Sequence, residues 1–449
     1  MPHSSIVHDL RSAHSADALL TGAPLPTLLY FALPIILGNI FQQLYSIVDA
    51  IVVGNFLGDL PLSGISVASP IVDVANALVI GGTIGVGVLC AHYCGAGEGE
   101  RLRCMNATAL LGGGALTLLI ALCGIFFSTP LLRAQGTEEA VCREAAVYLQ
   151  LVFAGLLFCF LYNYYAAMLR SCGNSRTPFL ILLLSSTLHA LLDVLFVGVF
   201  GWGIRGVAFS TVLCQALAAA ACILYAQRRC PPLLLRPANL RFDRQMARLV
   251  LSYAWAAALQ QAVVCIGRLL VQGMLTPLGT STVTGYNMSL RTEQFLFCFS
   301  QGISAAMVVC LSQNLGHGDR PRARRFFRIS VLVELALIAL LGTVCFLFPA
   351  RIVGLFSDNA DVIAAGAQYT GAMAYLYVFA YLGEVIQGFF RGLGRLRLTM
   401  VASLLQVLLR VVLSYLLIPV WGMYGICAAV VSGWVLLAGI EGAYAVRKS

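Results

Sequence analysis

The chain has 449 residues, of which 60% are hydrophobic and only 10% charged, with a mean hydropathy of +0.88. Soluble domains carry roughly 25% charged residues, so these proportions exclude a water-facing globule and leave a protein whose solvent is lipid. The net charge of +9 needs no nucleic acid, because it follows from where the basic residues sit relative to an anionic membrane leaflet.

The first 25 residues hold no apolar run long enough for a cleaved signal sequence and read as a short cytoplasmic tail. A hydrocarbon core about 30 Å thick takes about 20 apolar residues per helix. Twelve such stretches follow, at 28–52, 63–88, 107–128, 146–169, 178–200, 204–226, 248–276, 281–312, 328–350, 362–389, 398–419 and 424–446. The fold class is therefore all-α and integral to the membrane.

A carboxylate near the bilayer centre costs roughly 2.5–3.5 kcal/mol, so polar groups inside the spans mark candidate sites. In the first span Gln42, Tyr45 and Asp49 stand at i, i+3 and i+7 on one helical face. Pro34, one face away, removes a backbone hydrogen bond and offers a hinge. The second span carries Asp73, and Cys90, His92 and Cys94 follow its end. A metal cluster is rejected there, because on a helix His92 points away from the two cysteines. The 15 cysteines otherwise read as free thiols packed like small apolar residues.

The fifth span repeats the polar stripe with Ser186, His189 and Asp193, and the sixth adds Thr211 and Gln215. If the first half closes into a bundle, Asp49 and Asp193 share a depth near the outer ends of their helices. Two carboxylates together in low dielectric cannot both stay ionised cheaply, which makes a proton site. The oxygens of Thr211, Tyr45 and Gln42 equally suit Na+, and the residues do not choose between the ions. Aromatic and soft surface for a flat substrate is expected from Tyr45, Phe153, Tyr162, Tyr165, Tyr286 and Met288. In the second half Arg268, Glu293, Glu384 and Arg410 fall inside spans and read as a set able to neutralise one another. Glu293 is the candidate for substrate contact.

The sequence matches itself at an offset of 221: Gly95 and Gly97 fall on Gly316 and Gly318, Arg170 and Gly173 on Arg391 and Gly394. Trp202, Gly203 and Gly206 match Trp421, Gly422 and Gly425 at 219. The chain thus reads as a duplicated six-helix unit: a tail at 1–25, lobes at 26–227 and 248–446, a linker at 228–247 and an end at 447–449. Two pseudo-symmetric lobes around a central cleft suit alternating access. At that offset His189 and Asp193 meet Arg410 and Ser414, so the acidic site is not duplicated. Most of the 28 basic residues lie in one set of connections and at the termini, which places both termini in the cytoplasm.

The runs LPIILGNIFQQLYSIVDAIVVGNFLG, HYCGAGEGERLR, LRSCGNSRTP, LLDVLFVGVFGWGIRGVAFSTV and LSQNLGHGD together resemble the multidrug and toxic compound extrusion (MATE) family. The resemblance implies a cell-membrane antiporter that exports small cationic or amphipathic compounds in exchange for H+ or Na+, without a cofactor and as a monomer. It places the coupling residues at Asp49, Asp193 and Thr211, with His189 where relatives commonly have Asn. The candidate substrate cavity is then Gln42, Tyr45, Asp73, Glu293 and Arg410. Gln260 and Gln261 stand where some relatives carry acids in the seventh span. The rivals are a flippase for a lipid-linked saccharide, for which Arg268 and Arg410 speak, an intramembrane enzyme, for which no HExxH, GxSxG or GxGD motif is found, and a passive channel.

Overall fold

A computed structural model describes residues 14–234, 242–275 and 279–448; the side chains at 14–17, 48–50, 59, 232 and 446–448 lie outside the description, Asp49 among them. Among the described residues there are helices and turns and no strand. Lipid offers no partner for backbone N–H and C=O groups, so each crossing segment satisfies its own as a helix.

After a short helix at His14–Thr21, the spanning helices are α1 (Pro24–Leu57), α2 (Asp59–Ala96), α3 (Gly99–Ala134), α4 (Glu139–Ser171), α5 (Arg176–Asp193), α6 (Ile204–Arg229), α7 (Arg244–Gly273), α8 (Thr280–His317) and α9 (Arg320–Leu347). The tenth crossing, α10, has two arms, Ala360–Met373 and Tyr377–Gly392, bent by 57°. Then come α11 (Leu396–Trp421) and α12 (Met423–Lys448). Among the described residues eleven helices are long and apolar enough to cross a membrane, and the bent pair, taken as one span, makes twelve.

Two spans differ from the sequence expectation. The stretch 362–389 is not one straight helix, because it breaks at Ala374–Leu376, where no glycine or proline announces the bend. The fifth span is α-helical only to Asp193 and continues as a π-helical turn, Val194–Val199. Most helices also run past the apolar stretch that predicts them. A polar residue does not end a helix, whereas a left-handed glycine does: Gly97 (φ 70°) caps α2 and Gly318 (φ 92°) caps α8.

Helices α1–α6 and α7–α12 pack as two lobes, joined chiefly by α2 against α7 and by α8 against α1 and α2. Leu102, Met105, Leu149 and Tyr164 are buried in the first lobe, and Tyr369, Tyr377, Tyr381 and Ile426 in the second. Outward-facing Phe126, Leu184 and Val420 are strongly exposed, as lipid-facing side chains must be. Phe153, Tyr165 and Tyr286, expected as substrate surface, are buried instead in the lobe cores.

The lobes touch most closely at the end that carries the basic connections. There Gln313 Nε2 donates to the Ser171 carbonyl at 2.6 Å, and Gly95 and Gly316 let α2 and α8 meet backbone to backbone. Between the lobes lies a cavity of about 590 Å³.

Candidate functional site

Two sites emerge, one inside the first lobe and one between the lobes. The first is built where α5 and α6 pack on each other and α1 packs on α5. His189 and Asp193 are one turn apart on α5 and both are buried, at 3% and 0% exposure. The Tyr45 hydroxyl lies 2.8 Å from His189 Nδ1 and 3.1 Å from Nε2, with the two rings edge to face. Thr211 Oγ1 lies 2.9 Å from Nε2. Ser210, unremarkable in the sequence, donates to Asp193 Oδ1 and also reaches the Val207 carbonyl at 2.8 Å.

Counting protons defines the chemistry. Thr211 Oγ1 also lies 2.8 Å from the Val207 carbonyl: with its proton spent there it accepts from Nε2–H, and with its proton on Nε2 the ring hydrogen sits on Nδ1. Nδ1 then stands 2.8 Å from Asp193 Oδ2. Two lone pairs repel at that separation, so a proton stands between them, on Nδ1 facing a carboxylate or on Oδ2 as the acid. Oδ2 has no hydrogen bond of good geometry, so an electrostatic contact rather than an aligned bond holds this proton. The π-helical turn begins at the next residue, a distortion that recurs at functional sites.

The second site is the cavity. Pro34 and Gln42 from α1, Glu293 from α8 and Arg410 from α11 line it, together with Arg170, Arg268, Arg391, Glu384 and many amides. Tyr45 is not among the lining residues, because its hydroxyl is engaged with His189. Asp73 is not either: it is exposed on α2, within electrostatic reach of Arg268 on α7. Of the expected mutual neutralisation of Arg268, Glu293, Glu384 and Arg410, Glu293 lies within electrostatic reach of Arg410 and Arg268, whereas Glu384 is corrected to another partner. Glu384 pairs with Arg391, two turns along its own helix arm, and Glu293 Oε2 accepts the hydroxyls of Tyr369 and Tyr377 at 3.3 Å each. Helix α1 runs unbroken through Pro34.

In the wall of the cavity Gln260, Gln387 and Ser403, with Thr399 behind them, form a hydrogen-bonded network. Gln260 Nε2 donates to Gln387 Oε1 and Ser403 Oγ, both at 3.1 Å, and Gln387 Nε2 donates to Ser403 Oγ at 2.6 Å. Glu334 on α9 and Glu441 on α12 are fully buried with no hydrogen-bond partner for either carboxyl oxygen among the described residues. The sequence-derived set omits both, although an acid inside an apolar span is the signal that finds Glu293. The sulfurs of Cys90, Cys94 and Cys172 lie within 4.8 Å of one another, so the neighbour of the two α2 thiols is Cys172 at the end of α4 rather than His92.

The MatE family model matches this chain twice, over residues 34–195 and 256–416. The chain is 27% identical over 387 residues to the probable multidrug resistance protein YpnP of Bacillus subtilis, covering 86% of each chain. It is 26% identical over 355 residues to the FAD transporter of Shewanella oneidensis, covering 77% of each. A crystal structure of a variant of the Vibrio cholerae MATE transporter VcmN superposes with a TM-score of 0.88 at 20% identity, over 97% of this chain and 99% of that one.

Proposed function

The chain belongs to the MatE family of membrane transporters, and from that premise we propose that it exports small organic compounds by alternating access, driven by protons entering through Asp193 and His189. The observation that carries this reading is the buried contact between His189 Nδ1 and Asp193 Oδ2, 2.8 Å apart, where an imidazole and a carboxylate can share a proton. In the outward-open form a proton loads the pair and the cavity releases its substrate. In the inward-open form the proton leaves and the next substrate enters. Asp49, whose side chain lies outside the description, enters the proposal as a second coupling carboxylate through the family resemblance alone, and Pro34 is where α1 would bend as the charge changes. Thr211 fixes the ring through its hydrogen bond with Nε2, and Ser210 holds the other oxygen of Asp193.

The basic connections place their end of the bundle, and both termini, on the cytoplasmic side. The protein acts as a monomer, and its work is transport rather than catalysis. Relatives are named both for multidrug resistance and for FAD, so kinship alone does not choose the charge of the substrate.

The test is uptake of fluorescent organic ions of either sign into inverted vesicles under an imposed pH gradient or Na+ gradient. Wild type is compared with Asp49→Asn, Asp193→Asn and His189→Ala. Uptake that needs the pH gradient and is lost in all three variants supports the reading. Uptake driven by Na+ alone, or undiminished in Asp193→Asn, refutes proton coupling at this site.

A further inference from the structure

Four guanidinium groups line the central cavity, those of Arg170, Arg268, Arg391 and Arg410, and three of them have a carboxylate nearby. Arg391 is bridged to Glu384. Glu293 lies within electrostatic reach of Arg410, and Asp73 within reach of Arg268. Arg170, half-buried at the basic end of the cavity, has no ion pair with a carboxylate among the described residues. Its electrostatic neighbours are the Tyr162 hydroxyl and the Cys222 thiol.

The repeat explains why. Arg170 and Arg391 are equivalent at the offset of 221, and the equivalent of Glu384 is Asn163. Asn163 also lines the cavity and spends an N–H on the Cys159 carbonyl at 2.9 Å. One lobe thus supplies a counter-ion for its arginine and the other supplies an amide. A guanidinium left unpaired between low-dielectric walls focuses its field into the cleft, and its planar fork matches carboxylate and phosphate oxygens. Tyr162, Phe179, Phe297 and Trp434 add aromatic surface to the same cavity.

We propose that Arg170 anchors an acidic group of the substrate, so that the exported compounds are aromatic amphipaths bearing a carboxylate or phosphate, not the cations that the acidic first lobe suggests in the sequence. The proposal rests on the exporter reading above. Substrate binding would supply the charge that Asn163 lacks, and the proton site of the first lobe stays separate from the cavity.

The experiment compares two dyes with one xanthene core, anionic carboxyfluorescein and cationic rhodamine 123. Purified protein is reconstituted into liposomes under a pH gradient, and dye binding is followed by fluorescence anisotropy in detergent. Carboxyfluorescein is expected to bind and to be moved. Its uptake should fall at least about tenfold in Arg170→Gln, as for loss of a charge-assisted hydrogen bond. It should fall equally in Asn163→Glu, which restores the missing carboxylate and leaves Arg170 in place. Retained thermal stability in either variant shows that the loss is not misfolding. Rhodamine moved in place of carboxyfluorescein, or anion uptake indifferent to both variants, overturns the proposal and leaves the exporter reading standing. Carboxyfluorescein bound through Arg170 but never moved supports the substrate class and sinks the exporter reading. A third arm measures translocation of fluorescent phosphatidylglycerol: movement of that lipid alone overturns the proposal in favour of a flippase.

Discussion

Gly95 of α2 and Gly316 of α8 each lie against the backbone of the other's helix. A Cβ on Gly95 would stand 2.0 Å from the Gln313 carbonyl oxygen, and one on Gly316 would stand 2.1 Å from that of His92. The two positions are equivalent in the repeat, so one sequence feature, used twice, builds the seam that closes the basic end. Gly95→Ala or Gly316→Ala therefore forces the helices apart, at a cost of roughly 1–3 kcal/mol to the state closed at this end. Spin labels at the exposed Arg101 and Arg325 should show a wider distance distribution in either variant. An unchanged distribution would mean that other contacts hold this end shut.

Thr211 Oγ1 stands within hydrogen-bond distance of both His189 Nε2 and the Val207 carbonyl, at 2.9 and 2.8 Å. Thr211→Val keeps the shape and removes the hydroxyl that Nε2 meets at 2.9 Å, leaving a buried ring nitrogen short of a partner at a cost of about 1–3 kcal/mol. Gradient-driven uptake is predicted to fall by about tenfold or more, while Thr211→Ser, which retains the hydroxyl, stays near wild type. Initial rates on reconstituted protein decide it. Equal loss in both variants would point to packing instead of the hydroxyl.

What the sequence makes legible here follows from periodicity. His189 and Asp193 share a helical face at i and i+4, and an acid inside an apolar span is visible from composition alone, so half of the proton site can be read without a structure. Ser210 cannot: a serine beside Thr211 carries no signal until α6 is set against α5. The partners of Glu293 are equally hidden, because Tyr369 and Tyr377 reach it from the two arms of a helix whose bend falls in the apolar triplet Ala374, Tyr375 and Leu376. The asymmetry between Arg170 and Arg391 is present in the offset of 221. It acquires meaning only when both side chains and Asn163 are seen in one cavity.

Ser403 is the node of the buried amide network, accepting from Gln260 at 3.1 Å and from Gln387 at 2.6 Å. Ser403→Ala leaves two amide N–H groups short of an acceptor, so it should destabilise the protein by roughly 1–3 kcal/mol, seen as a lower midpoint of thermal unfolding in detergent. Gln260→Leu removes one of those donors. Combined with Ser403→Ala it should cost less than the two single changes added together. Strict additivity would show that the network does not act as a unit.

Glu334 and Glu441 pose the opposite case, since each is fully buried with both carboxyl oxygens unpartnered among the described residues. An ionised carboxylate without partners is too costly in such surroundings, whereas the neutral acid is tolerable. The neutral isostere should therefore fit as well as the native side chain. Glu334→Gln and Glu441→Gln are predicted to unfold within about 1 kcal/mol of wild type, far from the roughly 3–5 kcal/mol lost when one member of a buried ion pair is removed. Thermal unfolding of each variant measures this directly. A large loss would reveal that the carboxyl is ionised and paired in the membrane, and would move these two acids from passive packing into the charge balance of the second lobe.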